Sequence, residues 1–206
     1  MYIRALMLPK EELTTVTPED SLRVALQKMN EKDFLSIPVL KDKRFLGIIS
    51  RERIYSEYFE VGGDRDDYLD FRKVKDLMRV DIPSLSPNDE IEKASHALDI
   101  YGVPFIAVVN DYGVFEGIIT HYAIFRQFSE ALGINKGQKI TVLAYDIPGQ
   151  IAKLTEIISR FGGDIISFVV LDPKVKTDVK EIVVRVRCSS MVRLVDAVRD
   201  AGFRVQ

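Results

Sequence analysis

The chain has 206 residues, 47% of them hydrophobic and 29% charged, which is the composition of an ordered globular protein with room for one large domain or two to three small ones. Its formal net charge of −2 gives no general electrostatic reason to bind nucleic acid or an anionic membrane. No apolar run approaches the roughly 18–20 residues of a membrane span, and the single cysteine, Cys188, excludes an intrachain disulfide and fits a reducing cytoplasm.

Taken in chain order, MYIRALMLPKEE opens too polar and too short for a signal peptide. Thr17-Pro18-Glu19-Asp20 reads as a helix start, with Thr17 as N-cap, Pro18 at the first helical position and Asp20 at the third. Leu22, Ala25, Leu26 and Met29 then recur at helical spacing. IPVL and FLGIIS, either side of the polar turn KDKR, predict two strands, and RERIYSEYF a second helix. VGGDRDDYLDFRK, residues 61–73, reads as a solvated loop. Its four acids (Asp64, Asp66, Asp67, Asp70) fail as a calcium loop, because Tyr68 and Leu69 fall where an oxygen ligand and a glycine are needed.

The pattern then repeats. Ser86-Pro87-Asn88-Asp89 predicts another capped helix start, and Ile91, Ala94, Ala97 and Leu98 another apolar helix face. PFIAVV, NDYG and FEGIIT give strand, turn and strand, and HYAIFRQFSEAL a closing helix. Four landmarks align at offsets of 66 to 71 residues: Ala5-Leu6-Met7 with Asp76-Leu77-Met78, Thr17–Asp20 with Ser86–Asp89, Ser36–Val39 with Gly102–Phe105, and Gly47–Ser50 with Gly117–Thr120. A copy of about 55 residues buries little core alone, so the two are expected to pack on each other. Gly133-Ile134-Asn135-Lys136-Gly137 reads as a linker. Beyond it come a strand (KITVLAYD), a helix through Ile151, Leu154, Ile157, Ile158 and Phe161 that stops at Gly162-Gly163, two strands (DIISFVVLD, KEIVVRVRC), a helix ending at Gly202 and a last strand (FRV). The order βαββαβ is the ferredoxin-like arrangement.

The doubled unit resembles a tandem pair of CBS domains, on the strength of Leu6-Met7 and Leu77-Met78, the two Thr/Ser-Pro turns, the two strands containing proline and the two Gly-Ile-Ile-Ser/Thr strand ends. The third unit resembles an ACT domain, through Asp146-Ile147-Pro148-Gly149 and Gly162-Gly163-Asp164-Ile165-Ile166-Ser167. The resemblance implies an α/β (α+β) chain with CBS domains at 1–70 and 71–133 and an ACT domain at 138–206, in the order of the acetoin-utilisation (AcuB-type) proteins. It also implies a homodimer, an adenosine ligand between the CBS copies (AMP, ADP, ATP or S-adenosylmethionine), and a regulated protein partner.

Carried over by position, one cleft combines Thr17, Ser36 and Ile37 with Thr120, and the other Ser86, Gly102 and Val103 with Ser50. Where the family holds a ribose-binding aspartate, this chain has Arg53 and Ala123, and neither accepts a hydrogen bond from a sugar hydroxyl. Arg51 and Arg53 are open to two readings: phosphate ligands, or residues on the solvated face of a helix that Ser50 caps. Thr17 and Ser86 are likewise caps or ligand contacts, and His121 a surface or core histidine or a phosphate contact. In the ACT-like unit, Pro148, Gly149 and Gln150 open a helix whose N–H groups suit a carboxylate, with Asp146 either available to an ammonium group or capping the helix. With Cys188, His96 and His121 alone, a zinc site of the usual kind is nearly excluded. No nucleotide-loop or nucleophile-elbow fingerprint occurs, so the chain reads as a ligand sensor and not an enzyme, with a ligand-free scaffold as the alternative.

Overall fold

The computed structural model describes residues 1–172 and 178–206, which divide into two units, Met1–Ile124 and Phe125–Gln206. In the first unit, strand β1 (Leu8–Pro9) precedes helix α1 (Leu22–Glu31), the hairpin of β2 (Ser36–Lys41) and β3 (Arg44–Ser50), and helix α2 (Arg51–Val61). Helices α3 (Arg65–Phe71) and α4 (Val74–Leu77) lead to β4 (Ser84–Leu85), α5 (Ile91–Tyr101), the hairpin of β5 (Phe105–Val109) and β6 (Phe115–Thr120), and α6 (His121–Ala131), within which the first unit ends.

Three expectations are corrected here. Thr17 and Ser86 do not cap α1 and α5, which begin at Leu22 and Ile91. Each sits at the head of a turn that its aspartate closes backwards: Thr17 N–H donates to Asp20 Oδ2 and Ser86 N–H to Asp89 Oδ2, both at 2.8 Å. The cap of α1 is Ser21, whose hydroxyl accepts from the Val24 N–H. The expected loop at 61–73 contains a helix, α3, capped by Asp64, which accepts from the N–H groups of Asp66 and Asp67. Asp66 and Asp70 hold Arg23 on α1, at 2.7 and 2.5 Å, so these acids dock a helix. Finally, the two copies align without a gap from Val16 to Val39 at an offset of 69. Ile37 and Val39 pair with Ile49 and Gly47, as Ile106 and Val108 pair with Ile119 and Gly117. Pro38 therefore corresponds to Ala107, and Gly102 to Asp33, both of the latter in the left-handed region with φ of 56° and 54°. Matching the two prolines at an offset of 66 displaced Ser36 and Ile37 by three residues from their counterparts, Phe105 and Ile106.

The copies exchange their leading segments. β1, from the first, pairs antiparallel with β6 of the second, and Arg79, from the second, bridges Ile48 on β3 of the first. The exchange extends to the turns: Ile3 and Arg4 N–H donate to Asp89 and Pro87 carbonyls, as Val74 and Lys75 N–H donate to those of Asp20 and Pro18. The cores are exchanged too. Ile3 is fully buried with Ile91, Leu98, Phe115 and Ile119, and Val74 and Leu77 with Leu22, Met29 and Ile49. Burying one such side chain is worth about 1.5–3 kcal/mol, so each copy's core is completed by the other. Gly47 and Gly117 permit the exchange, since a Cβ on either would lie 2.3 Å from Arg79 O or 2.1 Å from Leu8 O.

The second unit runs β7 (Gln138–Tyr145), α7 (Gln150–Arg160), β8 (Asp164–Leu171), β9 (Val179–Arg187), α8 (Met191–Asp200) and β10 (Arg204–Val205). The sheet order is β10-β7-β9-β8 with every neighbouring pair antiparallel, which is the ferredoxin-like arrangement expected of βαββαβ. Leu154 and Ile158 of α7 meet Leu194 and Val198 of α8 over Val142, Val184 and Val186. Ile151 and Phe161, expected on the same apolar face, lie at the ends of α7 and stay exposed.

Candidate functional site

The strand ends set up a cleft in the first unit. At the end of β3 the Ser50 hydroxyl accepts from the Arg53 N–H at 3.2 Å, so Ser50 caps α2 as the helix reading required. Thr120 does the same for α6, accepting from the Ala123 N–H at 3.2 Å. The first turn of α2 then faces the α5–β5 junction. Between them lies a cleft of about 520 Å³, within the range of small-molecule sites. Apolar walls come from Leu35, Ile48, Ile82, Val103 and Pro104, and the rim carries Ser36, Ser50, Arg51, Glu52, Arg53 and Arg79.

This cleft unites Ser36, Ser50, Arg51, Arg53, Gly102 and Val103. It does not include the other residues singled out from the sequence. Ile37 is in the core, Thr17 and His121 are exposed, and Ser86 and Thr120 are half-buried, outside its lining. Ser36, expected opposite Thr120, lines the cleft of Ser50 instead. Leu35, Ile48, Glu52, Ser56, Arg79, Ile82 and Pro104 were missed. The offset of 71 that relates Leu8 to Arg79, and that of 69 relating Leu35 to Pro104, were both readable from the repeat once its register was set.

The three arginines differ in what holds them. Arg51 is mostly buried and donates through Nη2 to the Met29 carbonyl at 2.8 Å and to Asp33 at 3.3 Å, tying α2 to the end of α1. Arg79 donates to Asp81 at 2.9 Å and to the Tyr101 carbonyl at 2.8 Å. The hydrogen bond from Arg79, with a further contribution from the charge of Arg53, keeps the Asp81 carboxyl below the usual carboxylate range. Arg53 is exposed, and among the described residues its guanidinium has no hydrogen-bond or ion-pair partner. At the equivalent positions of the other copy, Arg53 and Arg79 are replaced by Ala123 and Leu8, so the pseudo-symmetric surface lacks both charges.

A second concavity of about 460 Å³ lies in the second unit, lined by Asp146, Ile147, Pro148, Gly149, Gln150, Val170 and Lys180 among others. Gly149, at φ 91°, is the N-cap of α7, so the turn needs a glycine there. Asp146 does not cap the helix. It lies 3.4 Å from Lys180, which also binds Asp172, and these two carboxylates, Asp172 foremost, raise the Lys180 ammonium above its ordinary value. The Asp146 carboxylate thus already faces a cation of the chain itself.

Comparison with known proteins falls on the repeat. The family model described as CBS domain matches twice, at residues 3–60 and 74–130. Cyclic di-AMP receptor B of Bacillus subtilis (strain 168) is 30% identical over 132 residues, covering 63% of this chain and 88% of the receptor. Among solved structures, a CBS domain-containing protein of unknown function from Bacillus anthracis is 30% identical with a TM-score of 0.57, covering 63% of this chain and 93% of that one. The CbpB protein of Listeria monocytogenes in complex with c-di-AMP is 26% identical with a TM-score of 0.55, covering 62% and 94%. Two matched repeats spanning more than half of its length, with the leading segment of each copy bound to a strand of the other, make this chain a member of the CBS-domain family.

Proposed function

We propose that the chain is a regulatory receptor for an adenine nucleotide, c-di-AMP foremost, bound in the cleft between Ser50–Arg53 and Gly102–Pro104. The observation that carries this is the cleft itself: an apolar floor able to take a base, backbone and a hydroxyl at its edge, and an unpaired guanidinium where phosphate would lie. The relatives add support, because one is a cyclic di-AMP receptor and another was solved with c-di-AMP. The C-terminal unit is read as an ACT-type module of the AcuB kind. Its pocket at Asp146–Gln150 would take an amino or small organic acid, and its signal would pass with that of the CBS pair to a regulated protein. A cytoplasmic, non-enzymatic homodimer completes the reading.

A ligand-free scaffold is the second reading. It is favoured by the commitment of the Ser50 and Thr120 hydroxyls and the Arg51 guanidinium to structural bonds. Melting curves of protein stripped of ligand by unfolding and refolding separate the two, run with c-di-AMP, AMP, ADP, ATP, S-adenosylmethionine and the amino acids. A ligand at 100 times its dissociation constant adds about 2.7 kcal/mol of stability. The receptor reading expects that rise with c-di-AMP; a flat response to every nucleotide would leave the scaffold.

A further inference from the structure

Arg79, in the exchanged segment, is bonded to both walls of the cleft. Its backbone belongs to one wall: the N–H donates to the Ile48 carbonyl at 2.8 Å and the carbonyl accepts from the Ile48 N–H at 3.0 Å, two residues before Ser50 at the end of β3. Its guanidinium belongs to the other: Nη1 donates to the Tyr101 carbonyl at 2.8 Å, directly before Gly102, Val103 and Pro104. The remaining side of the fork, Nε, donates to Asp81 at 2.9 Å, which fixes the plane of the guanidinium. Tyr101 is the last residue of α5, so its carbonyl is one that the helix leaves without a partner, and a cation suits that end.

Strand exchange does not need this side chain. In the other copy Leu8 pairs with Ile118 on β6 as Arg79 pairs with Ile48, and an alkyl group has no donor for a carbonyl. The arginine thus adds something that the other copy folds without. It adds it where Gly102, at φ 56°, turns the chain from α5 into the cleft wall.

Resting on the nucleotide reading above, we infer that Arg79 is a positioning residue of this cleft, a brace between β3 and the end of α5 that sets the Gly102–Pro104 wall in place before a nucleotide arrives. A brace acts on the population of the binding-competent wall and not on any one group of the ligand. Its loss lowers the association rate for every nucleotide and leaves dissociation as it was, whereas loss of a ligand contact speeds dissociation.

Surface plasmon resonance of the full chain with c-di-AMP and with AMP tests this on the parent, Arg79→Leu, Arg79→Lys and Asp81→Asn, with hydrogen exchange of the ligand-free proteins beside it. Leucine already serves at the equivalent position and Asp81 is exposed, so the variants fold. Arg79→Leu slows association of both nucleotides by about 10- to 100-fold and speeds exchange at 102–105 in the free protein. Arg79→Lys keeps the charge but cannot hold a carbonyl and a carboxylate in one plane, so it recovers only part of the rate. Asp81→Asn, which leaves Arg79 in place and loosens its other arm, gives a smaller loss of the same kind. Faster dissociation in Arg79→Leu would make Arg79 a ligand contact, and full recovery in Arg79→Lys would make it a charge that steers; either overturns the brace while the nucleotide site stands. An unchanged association rate, or equal exchange at 102–105 in the free parent and Arg79→Leu, overturns it as well. If the parent binds neither nucleotide, the nucleotide reading itself fails and takes the inference with it.

Discussion

Gly47 and Gly117 lack side chains because the segment contributed by the other copy passes directly over them. A Cβ at Gly117 would sit 2.1 Å from the Leu8 carbonyl oxygen and 3.2 Å from Pro9 Cα, and backbone atoms cannot give way as a flexible side chain can. Gly117→Ala should therefore cost about 1–3 kcal/mol in a urea titration, by prising β1 from β6. A loss below about 0.5 kcal/mol, the scale of an ordinary surface change, would mean that the contact is looser than it looks. The two residues after each glycine are core isoleucines, and the hydroxyl after them caps the next helix. The phrase Gly-Ile-Ile-Ser/Thr is thus accounted for by folding alone. What folding does not account for is Arg53, and that is where function is sought.

At the scale of elements, α3 has no counterpart in the second copy and is held by two polar clusters. Arg23 of α1 grips Asp66 and Asp70, while Glu57 of α2 accepts from the Tyr68 hydroxyl at 2.7 Å and pairs with Arg72. Burial, and then the hydrogen bond to Glu57, push the Tyr68 phenol well above its ordinary value. The hydrogen bond from Arg23 holds the Asp70 carboxyl below the usual range. A carboxyl depressed in the folded state stabilises fully above its unfolded pKa of about 3.9, and that contribution disappears as pH falls through the folded value. Asp70→Asn should lower the denaturant midpoint at pH 6 and narrow its gap from the parent as the buffer is taken below about pH 4. A gap independent of pH would mean that Asp70 acts through something other than its charge on Arg23. The sequence made this helix hard to see: Gly62, Gly63 and a run of acids look like solvent-exposed loop, and only the partner on α1, more than forty residues earlier, gives the acids their role.

For the whole molecule, the doubled unit and the βαββαβ unit were legible because their signals are local: apolar period, turn residues and a repeated strand end. The exchange of leading segments was not, since Ile3 and Val74 look alike in sequence whichever core they enter. The register of the repeat is hidden for a similar reason. Pro38 and Pro104 are the same letter in similar strands, whereas Asp33 and Gly102, which truly correspond, share only a left-handed backbone. Pairing the two prolines conceals that Leu35 and Pro104 line the cleft from equivalent positions. Hydrogen exchange read by mass spectrometry, with and without c-di-AMP, shows whether this cleft receives the nucleotide. A nucleotide bound there slows exchange across 48–56, 79–82 and 102–105 and leaves 144–151 unchanged. Protection confined to 144–151, or absent throughout, would contradict it.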